Sequence, residues 1–283
     1  MLFTSLLIQK ILNKVGCLPL LRTGYTLKVL NTLFRIPIIE NKVGFGYHQS
    51  ITEPFLLNIF KELYRHKDFL FVDVGVNFGQ TLLKLKAVKH DASYIGFEPI
   101  GLCSYYTSLL IKVNSLLDAR IIRCALSDSQ GVIIIYSHGE GDTRSTIIKE
   151  QIESNNVSFQ EHVPVLTLDI FSSLILEHEK EIILKVDVEG AEKLVFEGAD
   201  NVITLKRPVV IFENLPFTLS RVKEKDQLDI ANYFLGKSYL LFSIEQANGR
   251  IANITNLYNK DNFSSLDILA IPREKKDWIS GLL

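Results

Sequence analysis

The stretch "FVDVGVNFGQT", residues 71–81, decides the fold, because an apolar, β-branched run ends in Asp73 and a glycine-containing turn follows it. Such a run is typical of a strand buried on both faces. Apolar strands and amphipathic helices then alternate along the chain as far as "PVVIFE", residues 208–213. This alternation predicts an α/β fold with a doubly wound, mostly parallel sheet and helices on both faces.

The turn over residues 73–79 is the expected binding loop, since ligands of doubly wound sheets lie at the carboxyl ends of the strands. The spacing that starts at Gly75 lacks two of the three glycines of a dinucleotide fingerprint. A carboxylate at Asp73 would repel a pyrophosphate but attract an ammonium group. Gly75 and Gly79 let a ligand approach the backbone, and Asn77 tolerates a left-handed conformation. We therefore expect a ligand with a cationic amino-acid end, although Asp73 could alternatively just cap the turn.

Two further acidic residues follow the next strands. Glu98 ends the strand "SYIGFE" (93–98), where a carboxylate can accept two hydrogen bonds from a ribose diol. Asp128 follows the third strand in "ALSD" and could reach an adenine amino group, or could instead cap the turn before Gly131. Sites for an ammonium group, a ribose and an adenine together describe S-adenosylmethionine, and the reaction implied is methyl transfer.

The chain resembles the FkbM-type methyltransferases, a branch of the class I S-adenosylmethionine-dependent enzymes. The motifs that carry the resemblance occur in order over residues 71–213 and read "VDVGVNFGQT", "IGFEP", "ALSD", "VPVLTLD", "LKVDVEGAEKLVFEGA" and "PVVIFE". "SYLLF" and "LDILAIP" resemble the antiparallel final strand pair of the class I fold and extend the match to about residues 50–275. Val76 departs from the family pattern, in which a smaller residue is common.

The resemblance implies a Rossmann-like class I sheet, S-adenosylmethionine as the cofactor, and O-methylation of a hydroxyl on a sugar, glycan or natural product. An alcohol is a poor nucleophile at neutral pH, so a general base or an orienting acceptor is needed. Asp187 and Glu189, in "KVDVEGAE" (185–192), should lie at the methyl group and the acceptor. Glu213 and His138, the latter in the polar loop "SHGEGDTRST", are the other candidate bases, and the choice among the four stays open.

The charged neighbours Lys185 and Glu192 could form a surface ion pair, or Glu192 could favour the N-terminus of the helix that follows it. The histidines show no metal-ligand spacing with one another. We therefore expect no catalytic metal, and a divalent ion held by carboxylates is the alternative that stays open.

The charge balance bears on the partners. With 31 basic and 32 acidic residues the net charge is −1, so no overall field draws the chain to nucleic acid. The 3 cysteines are widely spaced in apolar surroundings, which predicts buried thiols in a reducing, cytoplasmic compartment. The expected partner is a small hydroxyl-bearing molecule or a glycan.

The N-terminal residues 1–50 differ from the predicted methyltransferase domain over residues 51–283. They carry six Lys/Arg and only Glu40, threaded through apolar clusters. No run reaches the roughly 18 apolar residues that spanning a bilayer requires. We expect a pair of helices packed on the domain. The alternative is a basic amphipathic segment that lies peripherally on the anionic inner face of a membrane.

Two rival functions have different signatures. "ENLPF" (213–217) is similar to a motif of amino methyltransferases acting on nucleic acid. It follows the wrong strand, because the acceptor strand carries "DVEG". The second rival, a non-catalytic module that only binds a partner, would not need Asp73, Glu98 and Asp187 together.

Overall fold

Strands and helices alternate through the computed structural model, which describes residues 2–4, 6–14, 23–39, 43–44, 48, 52–137, 159–213, 224–254 and 267–283. The strands are β1 (Leu2–Thr4), β2 (Thr23–Val29), β3 (Thr32–Pro37), β4 (Phe69–Val74), β5 (Ser93–Phe97), β6 (Ala119–Ile122), β7 (Ala125–Leu126), β8 (Gly131–Ser137), β9 (Phe159–Leu166), β10 (Glu181–Val186), β11 (Val209–Glu213), β12 (Tyr239–Ile244), β13 (Ile251–Asn253) and β14 (Asp267–Pro272). The α-helices are α1 (Leu6–Lys14), α2 (Phe55–His66), α3 (Gln80–Val88), α4 (Gly101–Val113), α5 (Ser172–Leu176), α6 (Glu192–Glu197), α7 (Asp200–Lys206) and α8 (Glu224–Gly236). Leu168–Phe171 and Arg273–Leu282 form 3₁₀ helices.

The main sheet has eight strands in the order β13-β12-β14-β11-β10-β4-β5-β6. The strands from β11 to β6 are parallel to their neighbours, whereas β14 runs antiparallel to both β11 and β12. The chain leaves β4 toward β5 and β6 and later returns to the other side of β4 at β10. The switch point therefore lies between β4 and β10. The predicted Rossmann-like class I methyltransferase sheet, with an antiparallel final strand, is confirmed.

The central strand β4 divides the core into two layers, because successive side chains of a strand point to opposite faces. Phe69 and Phe71 pack in one layer, whereas Leu70, Val72 and Val74 pack in the other. All six residues of β4 are buried, as the apolar run predicted. Asp73 is thereby placed on the face of Phe71.

A smaller sheet lies beside the main one, with the order β7-β9-β8. β9 pairs parallel with β7 and antiparallel with β8. Its apolar side chains pack with Phe78, Ile100 and Tyr106 in a third core cluster. This cluster lies next to the turn that follows β4.

The N-terminal segment corrects the expectation of a pair of helices. Of its described residues, those of α1 are helical, whereas β2 and β3 form an antiparallel hairpin. Along β2 the exposure alternates, with Tyr25 and Val29 buried and Lys28 exposed, which is the period of a strand rather than a helix. Tyr25, Phe34 and Ile36 belong to the same core cluster as α2 and β4. The described part of the hairpin is therefore packed into the domain core, and a boundary at residue 50 stays a prediction.

The helix that the sequence predicts near Glu192 is divided into α6 and α7. The break lies at Gly198, where a Cβ atom would come within 1.9 Å of the Ser127 carbonyl oxygen. A glycine is needed there because the backbone passes so close to the turn after β7.

The hairpin gives a stability test. Phe34 is 1% exposed, so Phe34→Ala should lower the free energy of unfolding by about 3–5 kcal/mol, the usual cost of emptying a buried phenylalanine site. Urea denaturation followed by circular dichroism measures this change. The neighbouring Leu33 is 66% exposed, and Leu33→Ala should change the stability by no more than about 0.5 kcal/mol. Equal effects of the two substitutions would contradict the packed hairpin.

Candidate active site

A cavity of about 210 Å³ opens at the carboxyl ends of β4, β5 and β10. This is where the switch point of a doubly wound sheet places a ligand. Its walls include Gly75, Asn77, Glu98, Cys124, Asp187 and Glu189. Five of the predicted cofactor and catalytic residues are thus brought together with Cys124 in one cavity.

The turn after β4 has the strained geometry that the sequence predicted. Gly75, Asn77 and Gly79 all have positive φ angles, of 90°, 53° and 79°. A Cβ atom on Gly75 would lie 1.9 Å from the carbonyl oxygen of Asp187, so only glycine lets the two turns pass each other. Gly79 has a different role, because a Cβ atom there would meet Thr107 of α4 at 3.0 Å and not the cavity.

Glu98 lies in the cavity wall and is buried. Its Oε2 accepts a hydrogen bond of 2.7 Å from the Asn77 amide, and its Oε1 accepts one of 2.8 Å from the Ile100 amide. Burial raises the pKa of Glu98 to about 7, although the two amide donors lower it. Each oxygen keeps a second acceptor site, so the carboxylate can still bind a diol.

Asp73 is buried on the sheet face that points away from the cavity. Its Oδ2 accepts a hydrogen bond of 2.6 Å from the Tyr94 hydroxyl. Its Oδ1 is buried without a hydrogen-bond partner among the described residues. Burial raises the pKa of Asp73 to about 6, an effect that Lys185 and the Tyr94 bond oppose. Contact of Asp73 with a ligand ammonium group stays a prediction.

Asp128 lies in an exposed turn and is not part of the cavity wall. Its Oδ1 accepts hydrogen bonds of 3.1 Å from the hydroxyls of Ser127 and Ser129. These contacts are with neighbouring side chains of the same turn. An adenine contact of Asp128 stays a prediction.

Three carboxyl groups meet beside the part of the cavity wall that Asp187 and Glu189 form. Oxygen atoms of Asp187, Glu189 and Glu213 all lie within 4.8 Å of one another. Burial and the neighbouring Asp187 and Glu189 raise the pKa of Glu213 to about 10, so Glu213 carries a proton at neutral pH. Among the described residues this is the group with the spacing for one metal ion, but nothing else in its surroundings points to a metal and none is assigned.

Lys185 and Glu192 do not form the expected surface pair, because both are buried. Lys185 Nζ donates a hydrogen bond of 2.6 Å to Oδ2 of Asp187. Glu192 Oε1 instead accepts hydrogen bonds from the amides of Val188 and Gly190, at 3.2 and 3.1 Å. The signal for a buried lysine was present, since Lys185 lies two residues after Ile183 in a strand that is otherwise apolar.

The N-terminal segment contacts this region through a residue that the sequence did not single out. His48 is buried, and its Nε2 lies 3.0 Å from the carbonyl oxygen of Phe78 in the turn after β4. Burial lowers the pKa of His48 to about 4, so the ring is neutral at physiological pH. A carbonyl oxygen can only accept, so Nε2 carries the proton and donates. The predicted base His138 and the loop around it lie outside the described residues.

Comparison with known proteins identifies the fold-bearing part of the chain. Residues 73–241, more than half of the chain, match the family described as the methyltransferase FkbM domain. Methyltransferase sdnD of Sordaria araneosa is 28% identical over 154 residues, which cover 46% of this chain and 60% of that protein.

Two solved structures are similar in part. The FkbM methyltransferase of Methylobacillus flagellatus aligns with a TM-score of 0.46 and 15% identity, over 72% of this chain and 43% of that one. An O-methyltransferase of Bacillus cereus in complex with SAH aligns with a TM-score of 0.43 and 10% identity, over 81% and 84% of the two chains. This chain thus spans less than two thirds of the sdnD and FkbM relatives.

The contact between the two turns gives a binding test. Gly75→Ala should weaken the binding of S-adenosylhomocysteine at least about tenfold, or about 1.4 kcal/mol, because the new Cβ pushes the β10 turn out of place. Isothermal titration calorimetry measures the affinity. Gly131→Ala is the control, since its Cβ would meet nothing within 4 Å. An unchanged affinity in Gly75→Ala would show that the close passage does not shape the binding site.

Proposed function

The chain belongs to the FkbM methyltransferase family, and from this premise we propose that it transfers a methyl group from S-adenosylmethionine to a hydroxyl of a small molecule or glycan. The cofactor agrees with the one that the sequence indicated. The observation that carries the acceptor side of the proposal is the convergence of Asp187, Glu189 and Glu213 beside the cavity. Carboxyl groups in this place can accept the proton that a hydroxyl must lose.

The residues of the cavity fit S-adenosylmethionine. Gly75 presents its backbone to the cavity without a side chain, and Glu98 offers a carboxylate to a ribose. Asp73, whose Oδ1 lacks a hydrogen-bond partner among the described residues, lies on the opposite face of the sheet and is not part of this fit. When bound, the cofactor supplies an electrophilic methyl group on a sulfonium.

The side chains then divide the work at the acceptor. Asp187 lines the cavity and is only partly buried, so it can accept a hydrogen bond from the acceptor hydroxyl and take its proton as the oxygen–carbon bond forms. Glu213 is held protonated and cannot act as the base at neutral pH. It can instead donate a hydrogen bond, as carboxyl pairs with unequal pKa values do in other active sites.

The same carboxyl groups favour one class of acceptor. Several closely spaced carboxyl oxygens can bind several hydroxyl groups at once, which suits a sugar or another polyhydroxylated molecule. They would repel the phosphates of a nucleic acid, and the net charge of −1 offers no compensating attraction. A non-catalytic module, the remaining alternative, would bind the cofactor without releasing S-adenosylhomocysteine in the presence of any acceptor.

The proposed base gives a catalytic test. Asp187→Asn should lower turnover by about a hundred- to ten-thousandfold, the usual loss for a general base, and change cofactor affinity little. The acceptor fraction is found first, by mass spectrometry of cell-envelope glycans and metabolites that gain one methyl group in the presence of the protein. Turnover is then followed by the release of S-adenosylhomocysteine.

Two variants make this test specific. Asp91 is an exposed aspartate outside the cavity, so Asp91→Asn should be fully active. His138→Ala tests the rival base in the polar loop. A severe loss in His138→Ala, with near-normal turnover in Asp187→Asn, would move the base to the loop.

The location of the protein involves a second proposal. No helix in the described residues is long and apolar enough to cross a membrane. Helix α1, however, exposes the large apolar side chains of Leu7, Ile8 and Ile11, and Lys10 and Lys14 are exposed on the same helix. Residues 1–39 contain no acidic residue. We propose that α1 lies on an anionic membrane surface, its apolar side chains in the lipid and its lysines at the headgroups.

Vesicle sedimentation tests this surface. Leu7→Ser together with Ile11→Ser should reduce binding to phosphatidylserine-containing vesicles at least about tenfold, because two apolar side chains that would insert into the lipid are lost. Leu117→Ser is the control, since Leu117 is 94% exposed outside the N-terminal segment. Point variants are used because a deletion of residues 1–40 would also remove Phe34 and Ile36 from the core. Equal sedimentation of wild type and double variant would exclude a membrane role for α1.

A further inference from the structure

A series of alternating charges, of which the two lysines are buried, runs behind the proposed base. Lys185 is 3% exposed, and its Nζ lies 2.6 Å from Oδ2 of Asp187 and 3.6 Å from Oε1 of Glu53. Lys84, on α3, is also buried and donates a hydrogen bond of 2.8 Å to Oε2 of Glu53. Two lysines and two carboxylates therefore alternate from α3 to the cavity wall.

Glu53 lies in the middle of this series and comes from the segment before α2, outside the family match. Its φ angle is 45°, a left-handed conformation that non-glycine residues rarely adopt. Lys84 Nζ also donates a hydrogen bond of 3.0 Å to the carbonyl oxygen of Thr52, so the backbone is held at the same point. Strained conformations of this kind persist only where their surroundings fix them.

The four charged side chains of this series, Lys84, Glu53, Lys185 and Asp187, compensate one another. Burial raises the pKa of Glu53, but Lys185 and Lys84 together lower it to about 2. Burial by itself would lower the pKa of Lys185, yet Asp187, Glu53 and Asp73 raise it well above the ordinary value. Lys185 therefore remains a cation at every physiological pH. Buried ammonium groups are costly unless they are paired, so the position of Lys185 is determined by the carboxylates around it.

We propose that Lys185 is a positioning residue, which fixes the carboxylate of Asp187 against the acceptor hydroxyl, and that Glu53 and Lys84 fix Lys185 in turn. One oxygen of Asp187 is tied to Lys185, while the residue itself lines the cavity. A carboxylate anchored through one oxygen cannot rotate away from the acceptor, and a misplacement of about 1 Å can cost about a hundredfold in rate. A residue outside the family match would thus complete the site.

This inference rests on the proposed function for its catalytic part, but the geometric part can be tested without an acceptor. Crystal structures of wild type and Lys185→Met, each with S-adenosylhomocysteine, should show the Asp187 carboxylate turned from its position in the variant. Calorimetry should show cofactor affinity unchanged within about threefold. An Asp187 carboxylate that keeps its position in Lys185→Met would overturn the proposal.

The kinetic measurements use the acceptor fraction identified for the wild-type protein. Lys185→Met should lower kcat about ten- to a hundredfold with little change in KM for the cofactor. Lys185→Arg, which keeps the charge, should recover most of this loss. A wild-type protein that methylates nothing would refute the proposed function, and the crystal structures would still decide the positioning.

A control variant on α3, Lys86→Met, separates positioning from stability. Lys86 is also buried on α3, but its Nζ donates to the carbonyl oxygen of Ala92 at 2.7 Å, away from the series of charges. Lys86→Met should lower thermal stability and leave kcat unchanged, and an equal loss of kcat there would overturn the assignment.

Glu53→Gln carries the test if Lys185→Met does not fold, because the Glu53 side chain is 29% exposed and tolerates a change. It should lower kcat at least about threefold and shift Lys185 in the crystal. Where Lys185→Met does fold, Glu53→Gln should add no further loss to that background. Unchanged turnover and an unmoved Lys185 would remove Glu53 from the proposal.

Discussion

The site depends on one close approach between two backbones. The turn after β4 passes the turn after β10 so closely that a Cβ atom on Gly75 would stand 1.9 Å from the Asp187 carbonyl oxygen. The Asp187 amide donates a hydrogen bond of 2.9 Å to the carbonyl oxygen of Val74, which joins the two turns directly. Because β4 and β10 flank the switch point, this contact also fixes the floor of the cavity. The turn after β4, which lines the cavity, and the proposed base Asp187 therefore cannot move independently of each other.

The two faces of the sheet carry different parts of the chemistry. The cavity lies on the side of Val74 and Phe97, whereas Asp73 and Lys185 point to the opposite layer. Asp187 follows the end of β10, and its side chain connects the two, since it lines the cavity and accepts a hydrogen bond from Lys185. A buried cation on one face thus contacts the cavity-lining carboxylate that we propose as the base.

The fold was predictable because it depends on short-range patterns. Apolar runs that end in acidic residues marked β4, β5 and β10, and the positive φ angles at Gly75 and Asn77 follow from residue type. Successive side chains of a strand alternate between the two faces of the sheet, and Val72 and Val74 take the cavity side. This alternation would have placed Asp73 away from the cavity. The hairpin of β2 and β3 was missed because its apolar residues were counted as clusters and not tested for a period of two.

The role of Glu53 could not have been predicted in this way. Its contacts with Lys84 and Lys185 join residues that are 31 and 132 positions apart in the sequence, and no local pattern reports such a pairing. The same is true of His48, which donates a hydrogen bond to the carbonyl oxygen of Phe78 in the turn after β4. Charge complementarity within a folded core depends on the complete topology, which a single sequence states only indirectly.

The N-terminal contacts link stability to catalysis. Tyr25 of the hairpin is packed in the core layer of α2, and its hydroxyl donates a hydrogen bond of 3.1 Å to the carbonyl oxygen of Gly44. A few residues after Gly44, His48 contacts the turn after β4, and Glu53 contacts Lys185. A change that loosens the hairpin would therefore free the segment that supplies both contacts. In the mechanism we propose, residues outside the family match affect the reaction in this way without touching the substrate, since they limit the positions that the catalytic groups can take.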